Sequence, residues 1–321
     1  MILITGGAGF IGSHATLRLQ ELGYATAVLD DLSHGDRRAV LAGEFVQGSF
    51  GDPDLLDQIF KKYLISAVMH FGAFIDVGES MHEPKKYFKN NVDNTRILLE
   101  GMARHGVKKF IFSSTAAVYG EPQSEKITEN HPTHPINPYG ESKLKAERLL
   151  AEFELQEGIS SVILRYFNAA GGDPKGRLKN FKQKESNLIP AALHALTSGR
   201  QLTVFGDDYP TPDGTCIRDY IHVWDLAEAH ILALQALEQG GLSALYNLGN
   251  GKGYSVKEVI AAVEKVTNQK LNWKAGPRRP GDPSVLLADS TRAKDHLGWT
   301  PQYPALEKIV GDAWQSIPLP K

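Results

Sequence analysis

The first 30 residues of the chain decide its fold. Residues 1–12 read MILITGGAGFIG, and residues 13–23 continue as SHATLRLQELG. A short apolar run enters a glycine-rich turn, after which apolar residues recur at helical spacing. The turn satisfies both G-x-x-G-x-x-G and G-x-G-x-x-G through four glycines, Gly6, Gly7, Gly9 and Gly12. A strand, a glycine turn and a helix in this order predict the first unit of a dinucleotide-binding sheet.

The small residues of this turn have a physical task. They permit a tight bend, let the backbone approach a pyrophosphate, and leave the helix N-terminus free to bind that anion through its N–H groups. An ordinary tight turn uses the same residues, so the setting between a strand and a helix is what favours a cofactor. The predicted cofactor contacts of this segment are Gly6, Gly9, Phe10, Ile11 and Gly12.

The next apolar run, YATAVLDD, ends in two carboxylates. Asp30 lies 18 residues beyond Gly12, where this kind of fold places an acid for the adenosine ribose hydroxyls. Asp30 and Asp31 together would repel a 2′-phosphate. The sequence therefore predicts NAD as the cofactor and disfavours NADP.

Strand-like and helical segments alternate through the rest of the first half. The strand-like runs are GEFVQG, ISAVMHFGAF, VKKFIFSSTAAVYG and SSVILRYFNAAG, and the helical segments lie near 53–63, 84–105 and 138–157. This alternation predicts an α/β fold with a doubly wound parallel sheet of the Rossmann type. Because ligands gather at the carboxyl ends of such strands, residues 71–74 and 113–115 should lie beside the glycine turn.

The stretch NPYGESK, residues 137–143, predicts the start of a helix. Pro138 suits the first helical turn, where its missing N–H costs nothing. Tyr139 and Lys143 are then neighbours on one helix face. Such a pair is also ordinary on a solvated helix surface, so the spacing alone does not assign chemistry to it.

Composition limits the classes of function. The chain has 321 residues, a net charge of −2 and a pI near 6.6, which argue against a nucleic-acid surface or an acidic membrane surface as partner. The single cysteine, Cys216, cannot form an internal disulfide or a cysteine metal site, so we expect no metal. The start of the chain lacks a signal peptide's basic region, and apolar runs are too short for a membrane helix. We expect a cytoplasmic protein.

Several motifs together resemble a known family. TGGAGFIG, SSTAAVYG and NPYGESK resemble the extended branch of the short-chain dehydrogenase/reductase superfamily. Within it, LRYFNAAGGDP, SNLIP, FGDDYPTPDGTCIRDYIHVWDLAEAH and RRPGDP are similar to the UDP-glucose 4-epimerase family. This resemblance covers nearly the whole chain.

The resemblance implies a mechanism and residue roles. Tyr139 would be the catalytic base, Lys143 would hold the nicotinamide ribose and lower the tyrosine pKa, and Thr115 would hydrogen-bond the reacting sugar oxygen. In the family, oxidation at sugar C4 by tightly bound NAD gives a 4-keto intermediate, which turns over before hydride returns to its opposite face. The implied reaction interconverts UDP-glucose and UDP-galactose, which makes the protein an isomerase.

The resemblance also implies ligand contacts beyond the glycine turn. Further cofactor contacts would be Asp30, Asp31, Ser49, Phe50, Phe71, Gly72, Ala73, Phe74, Asn91, Ser113, Tyr139, Lys143 and Phe167. Substrate contacts would be Thr115, Tyr139, Asn168, Asn187, Leu188, Phe205, Arg218, Arg279, Asp282 and Leu286.

Some of these positions allow a second interpretation. Ser49 replaces an Asp that is common in the family near the adenine amine, and Leu286 lies where family members vary with their acceptance of N-acetylated sugars. Arg218 and Arg279 could instead be structural ion-pair partners of Asp219 and Asp282, respectively.

The predicted organisation is bilobed. Residues 1–168 form an NAD-binding domain, and residues 169–321 form mainly a second, smaller α/β domain that binds the UDP-sugar. A segment near 218–250 is predicted to return to the first domain. By resemblance, the protein would be a homodimer through the helices at 84–105 and 138–157.

Three alternatives accompany this interpretation. A 4-epimerase of UDP-xylose/UDP-arabinose or of UDP-N-acetylhexosamines would share the same machinery, and a non-enzymatic NAD-binding sensor would share the fold. A 4,6-dehydratase needs an Asp-Glu pair after the threonine. Ala116 and Ala117 follow Thr115 here, so the residues for water elimination are missing.

Overall fold

The structure is a computed structural model that describes residues 1–180, 187–279 and 282–318. Its strands, in chain order, are β1 (Ile2–Thr5), β2 (Thr26–Asp30), β3 (Glu44–Gln47), β4 (Ala67–His70), β5 (Lys109–Thr115), β6 (Ser160–Tyr166), β7 (Asn168–Ala170), β8 (Leu202–Phe205), β9 (Ile217–His222), β10 (Ala244–Leu248), β11 (Gly253–Ser255), β12 (Trp273–Gly276) and β13 (Val285–Leu286). Its α-helices are α1 (Phe10–Glu21), α2 (Pro53–Lys62), α3 (Val77–His82), α4 (Pro84–Phe88), α5 (Asn94–Arg104), α6 (Pro138–Glu157), α7 (Leu188–Ser198), α8 (Val223–Glu238), α9 (Val256–Thr267), α10 (Thr291–Leu297) and α11 (Leu306–Ser316).

Seven parallel strands form the main sheet, in the order β10-β6-β5-β4-β1-β2-β3. The chain runs from β1 outward to β3 and then crosses back to β4. The strand order therefore reverses between β1 and β4, which opens a crevice at their carboxyl ends. The glycine turn follows β1, residues 71–76 follow β4, and Thr115 ends β5.

Both faces of the main sheet are covered by helices. Ile2 and Ile4 belong to one buried cluster with residues of α1 and α8, whereas Leu3 belongs to another with residues of α2, α5 and α6. Alternate residues of a strand face opposite sides, so a fully buried central strand reads as a continuous apolar run. The predicted doubly wound α/β fold is confirmed.

The second half builds smaller sheets around its own core. Strands β7, β9, β11 and β13 form one sheet, and β8 pairs with β12. Helices α7, α9 and α11 pack there in a separate buried cluster.

The segment predicted to return to the first domain is divided between the two halves. Strand β10 joins the main sheet beside β6, and α8 packs against α1, β5 and β6. Strand β9, which begins at Ile217, lies in the smaller sheet with β7, β11 and β13. The domain boundaries near residues 168 and 218–250 stay predictions.

The helix predicted over 84–105 is interrupted. Residues Lys89–Asp93 form a π-helical turn between α4 and α5, and Asn91 lies buried within it. Single π turns inside helices recur at functional sites because they redirect side chains that a regular helix would aim elsewhere. The predicted strand over 65–74 is also shorter, because β4 ends at His70 and leaves residues 71–76 as a loop.

Candidate active site

Tyr139, Lys143 and Thr115 lie together at the carboxyl edge of the sheet. Asn137 caps α6 by accepting the Gly140 backbone N–H, with Pro138 in the first turn, so Tyr139 lies at the start of the helix. Thr115 is the last residue of β5, and its side chain lies near that of Tyr139. All three side chains are buried.

Burial changes the ionisation of both predicted catalytic groups. It raises the pKa of Tyr139 to about 12, with the Thr115 hydrogen bond acting in the opposite direction. It lowers the pKa of Lys143 to about 7, although the Glu147 carboxylate acts in the opposite direction. Burial of Tyr139 therefore favours its neutral phenol. The role of Lys143 in lowering the tyrosine pKa stays a prediction.

Aromatic and neutral groups surround the Lys143 ammonium. Its Nζ lies 4.4 Å from the centroid of the Phe112 ring, a cation–π contact. His70 lies close enough for the ammonium to help lower its pKa, although burial of the imidazole is the larger cause. The His70 ring is neutral and is held between Thr5 and Thr95, at 2.6 Å and 3.1 Å.

Two more tyrosines support the catalytic pair. The Tyr166 hydroxyl forms a short hydrogen bond with the Ser113 hydroxyl at the end of β5. Burial raises the pKa of Tyr166, and its proximity to Tyr139 adds to this effect. The buried Tyr87 ring meets the Tyr139 ring edge-on, with centroids 6.5 Å apart. The Tyr87 ring therefore packs against Tyr139, and Tyr166 lies close to it.

The glycine turn fits a bound pyrophosphate. Gly6 has a φ of +72°, and a Cβ there would meet the Gly72 backbone nitrogen at 2.6 Å. A Cβ on Gly12 would meet the Gly6 carbonyl oxygen at 2.4 Å, so only glycine lets the helix approach the turn this closely. On Gly9 a Cβ would meet only the Gly6 carbonyl, at 3.2 Å. Among the described residues, no side chain caps α1, which leaves the N–H groups of Phe10 and Ile11 available to an anion.

Asp30 supports the glycine turn as well as facing it. Its carboxylate accepts the backbone N–H of Ala8, in the turn, at 2.9 Å and that of Leu32 at 2.8 Å. Asp31 is exposed and accepts the backbone N–H of Ser33. Asp30 and Asp31 were both predicted to select NAD over NADP. They differ in the structure, since only Asp30 hydrogen-bonds the glycine turn.

The loop after β4 is fixed by Asn91. The Asn91 amide accepts the Phe74 N–H at 2.9 Å and donates to the Phe74 carbonyl and the Ser142 hydroxyl, both at 3.0 Å. Asn91 thus links the loop that holds Phe71, Gly72, Ala73 and Phe74 to α6. Among the predicted adenine-side residues, Ser49 accepts the Gly51 N–H, and Phe50 packs edge-on against His70.

The predicted substrate residues form a looser group. The Arg279 guanidinium lies over the exposed Phe205 ring, 4.2 Å from its centroid. Asn187 is exposed at the start of α7, directly before Leu188. Asn168 donates to the Asp219 carbonyl at 2.8 Å.

The ion pairs differ from those that the sequence suggested. Arg218 pairs closely with Asp282, and it also donates to the Pro283 carbonyl at 2.7 Å. Asp219 instead accepts backbone N–H groups of Asn250, Gly251 and Ala288. The suggested ion pair between Arg218 and Asp219 is therefore wrong, because successive residues of β9 face opposite sides of its sheet.

Leu286 lies between the two halves of the site. It pairs with Arg218 across β13 and β9, and it packs half-buried against the cluster that contains Phe167 and Leu144. Its side chain therefore contacts the same apolar group as α6.

Sequence reasoning missed a buried ion pair next to the predicted catalytic residues. Glu147 lies on α6, four residues beyond Lys143, and its carboxylate binds Arg165 of β6 and Ser114 of β5. The available signal was the helical spacing of Tyr139, Lys143 and Glu147. No spacing rule could have indicated the partner on β6.

Comparison with known proteins assigns the family. Residues 2–249 match the family described as the NAD dependent epimerase/dehydratase family. The curated UDP-glucose 4-epimerase of Halalkalibacterium halodurans is 50% identical over 314 residues, which cover 98% of this chain and 94% of that protein.

Solved structures agree with this assignment. The UDP-glucose 4-epimerase from Brucella ovis in complex with NAD superposes with a TM-score of 0.95 at 44% identity, covering 98% of this chain and 97% of that one. The Bifidobacterium longum UDP-glucose 4-epimerase in complex with NAD⁺ and UDP gives 0.92 at 37% identity, with the same coverage. The predicted family, isomerase class and NAD cofactor are confirmed. This chain belongs to the NAD-dependent epimerase/dehydratase family.

Proposed function

We propose that this protein interconverts UDP-glucose and UDP-galactose by inverting sugar C4, with NAD as a tightly held cofactor. The observation that carries the proposal is the buried group of Tyr139, Thr115 and Lys143, at the edge of the sheet where the glycine turn lies. The curated relatives named UDP-glucose 4-epimerase support the choice of substrate.

Tyr139 is the proton acceptor in this proposal. Its hydroxyl takes the proton of the sugar 4-hydroxyl and later returns it, while the Thr115 hydroxyl donates to or accepts from the same sugar oxygen. When bound, NAD⁺ supplies the acceptor for the hydride of C4 and a positive charge that favours the phenolate. Lys143 adds a second positive charge close to Tyr139. Deprotonation at neutral pH needs both, because burial alone raises the pKa of Tyr139 to about 12.

The second half would bind the UDP group. Phe205 offers a ring face for the uracil, and Arg279 and Arg218 offer cations for the diphosphate. Asp282 orients Arg218 by direct pairing. Because these contacts fall on the nucleotide, the sugar stays free to present either face of C4.

We also infer a cytoplasmic homodimer. Helices α5 and α6 pack side by side, with Arg96 and Glu152 3.5 Å apart on the exposed side of the pair. The single cysteine is buried and reduced, which fits a reducing compartment. Among the described residues, no helix is both long and apolar enough to cross a membrane. Light scattering on the purified protein would test the dimer: a monomer mass would reject it.

The test of the activity needs no added cofactor. Purified protein is mixed with UDP-galactose, and the anomeric proton signals are followed by NMR. Appearance of UDP-glucose is expected, and an unchanged spectrum would reject the proposal. Parallel samples with UDP-arabinose and UDP-N-acetylglucosamine, with wild type and Leu286→Ala, measure the breadth of the substrate range.

A further inference from the structure

The polar cluster below the catalytic residues is closed and fully buried. Glu147 accepts the Ser114 hydroxyl at 2.5 Å and, through both carboxylate oxygens, the Arg165 guanidinium at 2.9 Å and 2.5 Å. Glu147 is 6% exposed, Arg165 5% and Ser114 not at all. This bidentate geometry is the strongest form of an Arg–carboxylate contact.

Each partner of Glu147 comes from a different element of the active site. Ser114 directly precedes Thr115 on β5, and Arg165 lies on the neighbouring strand β6. Glu147 itself lies one turn beyond Lys143 and two turns beyond Tyr139 on α6, so the three side chains share one helix face. The carboxylate therefore connects the helix that carries Tyr139 to the strand that carries Thr115.

Arg165 extends the cluster to the next strand. Its guanidinium lies 4.8 Å from the centroid of the Tyr119 ring, and the Tyr119 hydroxyl donates to the Asn247 side chain of β10 at 2.6 Å. Burial opposes the charge of Arg165, but bonding to Glu147 outweighs it and raises the pKa of the guanidinium. The guanidinium therefore stays charged inside the protein.

We propose that Glu147 is a positioning residue of the active site, whose carboxylate fixes α6 against the end of β5 and places a negative charge one helical turn from Lys143. The inference rests on the proposed function. It explains how a buried site can hold a charged lysine close to Tyr139. If Glu147 only stabilised the fold, its replacement would lower the stability of the protein but would not change the titration of Lys143.

The charges around Lys143 determine the direction in which its titration should move when Glu147 is replaced. The titratable groups that face it are Tyr139 and Glu147 from α6, neutral His70 from β4, and Arg165 behind Glu147 on β6. Replacing Glu147 by Gln removes the one anion and leaves Arg165 without its counter-charge. Both changes disfavour the ammonium, so Lys143 should lose its proton at lower pH.

The experiment compares Glu147→Gln with Glu157→Gln, which changes an exposed residue at the end of the same helix. The titration of Lys143 is measured by NMR on protein labelled at lysine Cε, with the signal assigned by Lys143→Arg. Glu147→Gln should lower the midpoint by about 1 pH unit and raise the acid-side midpoint of the pH–kcat profile. It should also reduce kcat at pH 7 by tenfold or more, with KM within twofold. Glu157→Gln should match the wild type.

An unchanged Lys143 titration in Glu147→Gln would overturn the inference, even if activity fell. Glu147→Asp tests it independently should Glu147→Gln not fold. The shorter side chain keeps the charge but cannot reach Ser114 and Arg165 together, so kcat should fall about fivefold while Lys143 titrates as in the wild type. Wild-type kcat in Glu147→Asp would contradict the positioning role. If the wild type fails to convert UDP-galactose, the proposed function is rejected, whereas the NMR titration still tests the inference.

Discussion

The two sides of the proposed active site are built in opposite ways. Tyr139, Lys143 and Thr115 are buried on a helix and a strand, and their neighbours hold them in place before any ligand arrives. Phe205 and Arg279 are exposed and lie at the end of a strand and in a loop. The difference predicts that the proposed chemical groups are preorganised, whereas the proposed nucleotide-binding groups become fixed when the substrate binds.

This difference has a mechanistic consequence. A buried base must keep its geometry, because a misplacement of 1 Å can cost about a hundredfold in rate. The side chains that bind the nucleotide can be ordered by the ligand itself. Losing one of them then weakens the affinity for the substrate. Mutations on the two sides should therefore separate into effects on kcat and effects on KM.

The largest effect is expected at Tyr139. Tyr139→Phe removes the proton acceptor but keeps the ring, so kcat should fall by about 10³- to 10⁴-fold. NAD content and UDP affinity should stay within twofold of the wild type. Tyr24→Phe, which removes a hydroxyl bonded to Glu238 on the far side of the domain, serves as the control. Kinetics of UDP-galactose conversion measure both, and near-normal turnover in Tyr139→Phe would exclude it as the base.

Two buried histidines, one on α1 and one on α8, should make the protein acid-sensitive. Burial lowers the pKa of His14 and His230 from 6.5 to about 4. In each ring, the hydrogen bond to a backbone carbonyl acts in the opposite direction and raises the pKa. The folded state then binds fewer protons than the unfolded state between pH 6.5 and 4. Stability that is present above pH 6.5 is therefore lost as the pH falls, by about 2 kcal/mol per histidine between pH 7 and pH 5.

Urea unfolding at pH 7 and pH 5 measures this loss. His230→Leu removes one buried imidazole and should reduce the pH-dependent loss by about 2 kcal/mol. His134→Gln changes an exposed histidine and should leave the loss unchanged. An equal loss in all three proteins would contradict the assignment of His230 as a neutral buried group.

A smaller effect is expected at Asp30. Asp30→Ala removes the acceptor for the Ala8 and Leu32 N–H groups, so NAD affinity should fall by about tenfold to a hundredfold and the NAD/NADP affinity ratio should decrease. Asp31→Ala, which affects an exposed carboxylate, should change the NAD affinity by less than threefold. Calorimetric titration of cofactor-free protein compares the variants. An unchanged affinity ratio in Asp30→Ala would count against its role in selectivity.

The smallest effect belongs to the open side. Arg279→Leu should raise KM for UDP-galactose by about tenfold with kcat within twofold, because it removes a cation and the cover of Phe205. Arg278→Leu is the matched control, since Arg278 pairs with Asp208 and covers Tyr209 instead. A drop in kcat without a change in KM would contradict the assignment of Arg279 to nucleotide binding.

Features that depend on short-range spacing were predictable from the sequence. The glycine turn, Asp30 and the pair of Tyr139 and Lys143 each follow from a local motif, and the alternation of elements predicted the parallel sheet. The residue roles rest on family resemblance and stay predictions.

Features set by tertiary contact were not predictable. The Arg218–Asp282 pair and the Glu147–Arg165 pair join distant segments, and no local rule selects such partners. The π turn at Lys89–Asp93 looks like a continuous helix in the apolar pattern. The pKa of Tyr139 also depends on its burial, which a helical pattern does not reveal.

The central claim is that sugar C4 gives up its hydrogen as a hydride, which stays within the active site until it returns to C4. Incubation of the wild-type protein with UDP-galactose in D₂O, followed by NMR, tests it directly. The account predicts UDP-glucose that retains protium at C4. Deuterium at C4 would show exchange with solvent through a carbon acid, and absence of UDP-glucose would show that the reaction does not occur; either result would contradict the account.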